Sequence, residues 1–232
     1  MNSRKHSLIR GMVSVSPLML GVIPFGLICG ASAVHAGLSM QEAVGMSVVV
    51  FAGASQLAVT QLMASDATWW VILFTGIVIN LRMLLYSASI ANFVSGAHTW
   101  KKFGIAYLLT DQAYATSLQE YQREKQGLSH RCWFYFGVAG LMWVSFVVST
   151  AMGAMLGNGI PPEWDLGFSV PLTFVALLMN TLKDDRFGWA ALIAGLLAVG
   201  LYPLPFNLGM LLAALVAIML SSWIETAWRS LR

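Results

Sequence analysis

The sequence predicts an all-α polytopic membrane protein, with about six full spans and two broken or re-entrant helical segments. Of its 232 residues, 58% are hydrophobic and only 10% are charged, and the mean hydropathy is +0.72. A soluble domain carries about 25% charged residues, so this chain has too little polar surface to cover a soluble core of its size. The charged residues also separate apolar runs that are each about long enough to cross a bilayer. We therefore expect a single transmembrane domain over residues 1–232.

The charge pattern argues against nucleic acid as a partner, although the net charge is +3 and the pI is near 9.0. The Lys and Arg residues form no patch and instead flank apolar runs, as they do at the cytoplasmic ends of membrane spans. The sequence has no nucleotide-binding loop, no catalytic constellation and no metal-ligand spacing. We expect neither an enzyme nor a bound cofactor or metal. Cys29 and Cys132 are expected to be small core residues.

The first span is expected over residues 12–34, behind a cytoplasmic tail of residues 1–10 that is rich in basic residues. Pro24-Phe25-Gly26 lie near the middle of this span. A proline there kinks the helix and frees a backbone carbonyl for a neighbouring helix or a ligand amine. This segment alone does not distinguish a packing kink from a binding element.

The second apolar run, residues 43–63, has small and polar residues at its centre: Phe51-Ala52-Gly53-Ala54-Ser55-Gln56. Glycine lowers helix propensity and lets a neighbouring backbone or a ligand approach closely. The Ser and Gln side chains need hydrogen-bond partners that hydrocarbon cannot supply. The pattern predicts a broken or re-entrant element that lines a solute path. Close helix packing through small residues is the alternative interpretation.

Two charges lie inside the next two elements. The third span, residues 69–93, carries Arg82 near its centre, and a weaker fourth element, residues 103–118, carries Asp111. A charge at the bilayer centre costs about 2.5–3.5 kcal/mol on insertion scales, so Arg82 needs a partner or water, and Asp111 is the natural counter-ion. The pair is either a structural bond that fixes helix packing or part of a site. In the second interpretation Arg82 or Asn80 holds a carboxylate and Asp111 exchanges a proton.

The second half of the chain contains a polar cytoplasmic loop and four further spans. The loop is expected over residues 119–131, and spans follow at residues 132–156 and 166–182. The uncharged run 187–224 would be about 57 Å long as one helix, which is too long for a single crossing. The prolines near its middle are expected to divide it into two spans.

Basic residues distinguish two topologies. If all eight elements cross, Lys101 and Lys102 lie outside the cell, apart from the other loop Lys and Arg residues. If residues 43–63 and 103–118 each enter and leave on one side, all of these basic residues are cytoplasmic. The positive-inside rule favours the second arrangement, and eight spans are the alternative. Both arrangements place the two termini in the cytoplasm.

Four short motifs carry a family resemblance. They are Pro24-Phe25-Gly26 followed by Gly37-Leu38-Ser39, Phe51 to Gln56, Asn80-Leu81-Arg82 followed by Leu84-Leu85-Tyr86, and Leu109-Thr110-Asp111-Gln112. In this order, over about residues 15–182, they resemble the AzlC-type proteins, the large subunits of two-component branched-chain amino acid exporters. Gln112 departs from the pattern, because many relatives carry an acidic residue there. Asp111 is thus the sole candidate carboxylate.

The resemblance implies a secondary transporter that exports branched-chain or similar hydrophobic amino acids across a bacterial inner membrane. It also implies a small hydrophobic AzlD-type partner subunit. Because the sequence has no nucleotide-binding motif, transport would be driven by an ion gradient, an electrochemical potential or a separate subunit. Of these, exchange for protons is the expected driving reaction. The alternatives are a channel for small solutes, which would need a continuous polar stripe, and a non-transporting membrane scaffold for a partner subunit. The expected substrate-binding residues are Pro24, Phe25, Gly26, Phe51, Gly53, Ala54, Ser55, Gln56, Asn80 and Arg82, with Asp111 in proton coupling and with Gln112 and Asn180 in support.

Overall fold

The structure is a computed structural model that describes residues 3–123, 127–157 and 185–201, together with five positions between 213 and 220. Every regular element within these ranges is helical, as the sequence predicts. The chain divides into two compact units, Met1–Val170 and Pro171–Arg232. The predicted sixth span and Asn180 lie outside the described residues.

The first unit consists of a long opening helix followed by shorter helices and one long closing helix. In chain order its helices are α1 (Ser3–Val15), α2 (Met19–His35), α3 (Met40–Val49), α4 (Gly53–Ala64), α5 (Trp69–Asn80), α6 (Arg82–Val94), α7 (Thr99–Tyr107), α8 (Asp111–Arg123) and α9 (Leu128–Gly157). A 3-10 turn, Ser16–Leu18, joins α1 to α2. The second unit contributes one described helix, α10 (Asp185–Gly200), in the region where the sequence predicts a pair of spans.

Three stretches of the described chain are long and apolar enough to cross a membrane: Arg4–His35, Trp69–Val94 and Leu128–Gly157. They match the predicted first, third and fifth spans. The first helix begins at Ser3, so most of the expected tail is helical. Likewise α8 and α9 extend into the expected loop 119–131.

Polar contacts explain why these helix ends are ordered. Ser7 is buried, and its Oγ lies 2.7 Å from Nδ1 of His130. The Arg10 guanidinium forms an ion pair with Glu120, with 2.9 Å between Nη2 and Oε1. These bonds join α1, α8 and α9 in a region where the sequence shows only a polar segment.

The longest helix, α9, packs closely against both α1 and α2. A Cβ added to Gly137 would lie 2.0 Å from the Leu8 carbonyl oxygen, and one added to Gly153 would lie 2.0 Å from the Leu27 carbonyl oxygen. Since the two contacts follow the same order along both helices, α1–α2 and α9 run in the same direction. Small residues of this kind let membrane helices gain van der Waals contact.

Helices α3 and α4 form the first hairpin, residues 40–64. The Gln56 side-chain amide donates to the Ala43 carbonyl across 3.3 Å, whereas an unbroken helix would separate these two residues by about 20 Å. The chain therefore reverses at its tip, where Phe51 has a φ of 44°. Ala43 packs with Ala154 near the end of α9, while the ring of Phe51 contacts that of Phe146 near the middle of α9.

A capping box fixes the start of the first hairpin. The Glu42 N–H donates to Ser39 Oγ at 3.3 Å, and the Ser39 N–H donates to Glu42 Oε2 at 2.7 Å. The Ser39 hydroxyl also donates to Glu42 Oε2 at 2.7 Å. This bond and the one from the Ser39 N–H hold the pKa of the Glu42 carboxyl below its usual value, because both favour the ionised form. The box orients α3 as it leaves the turn after α2.

Helices α7 and α8 form the second hairpin, residues 99–123. Lys101 Nζ lies 5.8 Å from the Trp133 ring, near the start of α9. The Thr110 hydroxyl then points at Met142 Sδ, 3.8 Å away, and the chain returns to place the Tyr121 hydroxyl 2.7 Å from the Arg131 carbonyl oxygen. Both elements that the sequence predicts to be broken are therefore broken, and their open ends lie at opposite ends of α9.

Candidate functional site

The tips of the two hairpins meet beside the middle of α9. At the tip of the first hairpin, the Phe51 ring lies 6.0 Å from that of Phe146. At the tip of the second hairpin, Thr110 contacts Met142. Met142 and Phe146 are about 6 Å apart along the helix axis, one helical turn. The midpoint of a 30-residue helix is thus bordered by both tips.

Tyr107, at the end of α7, bridges the two hairpins directly. Its hydroxyl donates a hydrogen bond to the backbone carbonyl of Val48 in α3. The same hydroxyl accepts a bond from Trp143 Nε1 on α9 at 3.0 Å. The two tips and α9 are therefore connected by polar bonds at one level.

The charged group of the site lies beside a break in the second of the three long helices. Trp69–Val94 is interrupted at Leu81, between α5 and α6. On one side of the break, Asn80 Nδ2 donates to Ser55 Oγ in the first hairpin at 3.1 Å. On the other side, Arg82 Nη1 lies 3.0 Å from Asp111 Oδ2 in the second hairpin. The predicted Arg82–Asp111 pair is present, and the break places one polar residue against each hairpin.

The environment of this ion pair is neither fully aqueous nor sealed. The Arg82 and Asp111 side chains are 35% and 37% exposed in the part of the chain that the structure describes. A charge pair at this depth in a membrane needs protein or water partners, and its residual exposure leaves room for a solute to approach. The pair can therefore both hold α6 against the second hairpin and take part in binding.

The hairpin tips also present helix N-termini. The first N–H groups of a helix have no intrahelical partner and carry a partial positive charge, which favours a carboxylate. The N-terminus of α8 is already capped and charged by neighbouring residues. Asp111 is its first residue, and the Thr110 hydroxyl accepts from the Ala113 N–H at 3.2 Å. Helix α4 begins at Gly53 with no side-chain cap. The N-terminus of α4 is the better candidate for binding an anionic group.

Aromatic rings surround the start of α4. A Cβ added to Gly53 would lie 2.4 Å from Phe25 Cε1 and 3.1 Å from Phe146 Cε2. The Phe25 and Phe146 ring centroids are 6.3 Å apart, and the Phe51 ring also contacts that of Phe146, at 6.0 Å. Only an unsubstituted residue fits at position 53 without moving a ring. The first tip therefore combines polar N–H groups with an apolar wall.

Most of the other residues predicted to bind substrate lie where they support the fold rather than border the site. Gln56 is only 1% exposed, donates to the Ala43 carbonyl and accepts from the Ser47 hydroxyl at 3.0 Å, so it braces the first hairpin internally. Gly26 faces α9, where an added Cβ would lie 2.7 Å from Ser149 Cβ. Pro24 lies within α2. The second positions of α4 and α8 are occupied by Ala54 and Gln112.

Several residues of the site were not identified from the sequence, among them Phe146, Tyr107, Met142 and Trp143. Phe146 is an apolar residue in an apolar span, so no local signal distinguishes it from lipid-facing neighbours. Tyr107 was included in a predicted membrane segment but not in the site. Its position just before the Thr110–Asp111 break is a signal that could have identified it.

Residues 17–160 match the family model described as AzlC protein, a stretch that includes both hairpins and α9. The chain belongs to the AzlC family. The resemblance found in the four motifs is thereby confirmed, and the chain is a helical membrane protein of this family. No solved structure matches the chain.

Relatives of this AzlC-family chain are membrane proteins of bacteria and archaea. It is 28% identical to the inner membrane protein YgaZ of Escherichia coli K12 over 221 residues, which covers 92% of this chain and 88% of that protein. It is 30% identical to an uncharacterized membrane protein of Archaeoglobus fulgidus over 219 residues, with 92% and 94% coverage. A membrane protein of Helicobacter pylori 26695 is 23% identical over 208 residues, with 88% coverage of each chain.

Proposed function

We propose that the protein is a secondary transporter that exports branched-chain or similar hydrophobic amino acids across the bacterial inner membrane in exchange for protons. It works together with a small hydrophobic membrane subunit of the AzlD type. The observation that carries the proposal is the Arg82–Asp111 pair at the level where the two hairpin tips meet. Membership of the AzlC family and the name of the inner membrane relative support it.

The residues at the tips suit a zwitterion with an apolar side chain. The substrate carboxylate binds the Arg82 guanidinium or the free N–H groups of Gly53 and Ala54. The substrate ammonium binds the Asp111 carboxylate. Its apolar side chain packs among the rings of Phe25, Phe51 and Phe146, which form the wall of the first tip.

Competition at a single carboxylate explains exchange for protons. Asp111 binds the ammonium of the substrate only while it is ionised, and binding of a proton releases both the substrate and Arg82. Substrate and proton therefore occupy Asp111 alternately, which is the requirement for antiport. Asn80, Ser55 and Gln56 hold the first tip in place through the bonds described above, and Gln112 and Asn180 keep supporting roles in this proposal.

The proposed topology has both hairpins re-entrant and both termini in the cytoplasm. Lys101 and Arg131 lie near the start of α9, the end at which Arg10 is paired with Glu120. Basic residues concentrate on the cytoplasmic side, so this end of α9 is assigned to the cytoplasm. The irregular backbone at both tips is covered by α9, which is the condition for such backbone at membrane depth.

Efflux of labelled valine tests the proposal. Cells are loaded with a valine-containing dipeptide, and efflux is compared with and without this protein and with and without the partner gene. We expect faster efflux when both proteins are present. Equal efflux in cells that have and lack this protein would refute the exporter, and efflux insensitive to a proton gradient would favour the channel.

We expect Gly53→Ala to lower valine efflux about tenfold or more while the protein still folds. The added methyl group overlaps the far end of the Phe25 side chain, which can rotate away but then disturbs the wall of the first tip. A misplacement of about 1 Å at a reacting or binding group can cost about 10²-fold in rate. Valine efflux measures the loss of transport, and the monodisperse yield in detergent measures whether the variant still folds.

Gly45→Ala is the matched control for this substitution. Gly45 lies in α3 of the same hairpin, and a Cβ there meets no heavy atom within 4 Å among the described residues. Its efflux should equal that of the unsubstituted protein. Equal efflux in both variants would exclude the start of α4 from the binding site.

A further inference from the structure

The two hairpins follow the same structural plan. Each comes after a long helix, through a four-residue turn whose second residue is a glycine, Gly37 in the first turn and Gly96 in the second. Each begins with a short helix, α3 or α7, whose sixth residue is again a glycine, Gly45 or Gly104. Each then breaks and continues as a second helix, α4 or α8. The match in element order and in turn length points to one unit used twice.

The helices that lead into the hairpins run in opposite directions. Helix α2 is parallel to α9, because Leu8 and Leu27 meet Gly137 and Gly153 in the same order. Helix α6 is antiparallel to α9. It begins at Arg82, at the level of the tips near Met142, and its Phe93 carbonyl accepts from Arg131 Nη1 at 3.4 Å, near the start of α9.

The hairpins themselves are inverted in the same way. The open end of the first hairpin lies with Ala43 beside Ala33 and Ala154, near the C-terminal ends of α2 and α9. The open end of the second lies with Lys101 and Tyr121, near the N-terminal end of α9. The two hairpins therefore enter from opposite ends of α9 and meet at their tips.

We infer that residues 19–64 and 82–123 form an inverted repeat, and that each hairpin closes the path from the tips to one side of the membrane. The gating part rests on the proposed transport function, whereas the repeat does not. In transporters built from inverted repeats, the substrate lies at the interface of the repeats near the midplane, and one repeat or bundle moves against another around it. The first hairpin is thus the gate on the side of the α9 C-terminus, and the second hairpin is the gate on the opposite side.

Space beside the second hairpin is consistent with movement there. A groove of about 380 Å³, open to the protein surface, lies between the first long helix and α8, and its wall includes Ser14, Pro17, Thr116 and Gln119. Glu120, also in the wall, forms the ion pair with Arg10 that holds α8 to α1. Opening of the second gate toward this groove would require this ion pair to separate.

Cysteine labelling tests the repeat independently of transport. Single cysteines replace Met40, Ser65, Thr99 and Gln122, which are exposed residues at the four ends of the hairpins, in a C29A/C132A background. A membrane-impermeant maleimide is applied to intact and permeabilised cells. We expect Met40→Cys and Ser65→Cys to be labelled in intact cells, and Thr99→Cys and Gln122→Cys only after permeabilisation. Labelling of the two ends of either hairpin from opposite sides would overturn the inverted repeat.

A second measurement tests the gates. The labelling rates of Thr116→Cys in α8 and Gln61→Cys in α4 are compared with and without saturating valine. We expect the two rates to change in opposite directions, while Met152→Cys, which is exposed on α9, keeps a constant rate. Parallel changes, or none in a protein that exports valine, would overturn the gating. If the cysteine labelling gives the expected topology but the protein exports no valine, the proposed function is refuted and the inverted repeat is still supported.

Discussion

Asp111→Asn is expected to abolish the proton dependence of export while the protein still inserts and folds. Asparagine keeps the shape of the side chain and can still accept a hydrogen bond from Arg82, which lies 3.0 Å from Asp111. It cannot bind and release a proton, and it has no charge for the substrate ammonium. Loss of a group that transfers a proton typically costs 10²–10⁴-fold, so we expect proton-driven efflux to fall by about 10²-fold or more.

The measurement is labelled-valine efflux at a series of external pH values, together with the monodisperse yield of each variant. Efflux from the unsubstituted protein should rise as external pH falls, because protons enter in exchange, whereas the Asp111→Asn variant should show no such rise. Asp66→Asn is the matched control, since Asp66 is an exposed carboxylate in the turn after α4. An unchanged pH dependence in Asp111→Asn would remove Asp111 from the mechanism. A folded yield near zero would favour the purely structural interpretation of the pair.

Gly153→Ala is expected to destabilise the protein by about 3 kcal/mol, at the upper end of the usual cost of overpacking. The added Cβ would lie 2.0 Å from the Leu27 carbonyl oxygen and 2.7 Å from Leu27 Cα. Because both are backbone atoms, no rotation of a side chain relieves the overlap, and α2 and α9 must separate. Thermal unfolding in detergent should show a lower midpoint and a lower folded yield.

Gly140→Ala provides the comparison on the same helix. A Cβ at Gly140 meets no heavy atom within 4 Å in the described chain. The substitution therefore changes the helix propensity as Gly153→Ala does, but it creates no steric overlap. We expect it to match or slightly exceed the unsubstituted protein in stability, because alanine favours a helix. Equal midpoints of thermal unfolding for Gly153→Ala and Gly140→Ala would contradict the close contact between α2 and α9.

The sequence predicted the broken elements and the charge pair because their signals are local. Polar and small residues inside an apolar run, such as Gly53 and Ser55, stand out against their neighbours. A lone arginine and a lone aspartate in membrane segments predict each other, since each needs a counter-ion. Both predictions therefore required only composition over short windows.

Other features could not be predicted because they depend on distant contacts. Phe146 looks like any aromatic residue of a span until the first tip is placed against it. Gln56 has the same sequence signal whether it faces a solute or, as observed, bonds to Ala43 and Ser47 inside its own hairpin. The helical start at Ser3 depends on partners in α8 and α9. The charged residues there, read locally, indicate only a solvated segment.

The position of α9 in the chain has a consequence for biosynthesis. Ser7 and His130 form their hydrogen bond across 123 positions of sequence. The close contacts of Leu8 with Gly137 and of Leu27 with Gly153 have similar sequence separations. While the ribosome makes α1 to α8, the helix that covers both tips has not yet been synthesised. Contacts of such high sequence separation form late and leave polar backbone uncovered in the meantime. Both tips therefore stay uncovered in the nascent chain until α9, which ends at Gly157, has entered the membrane.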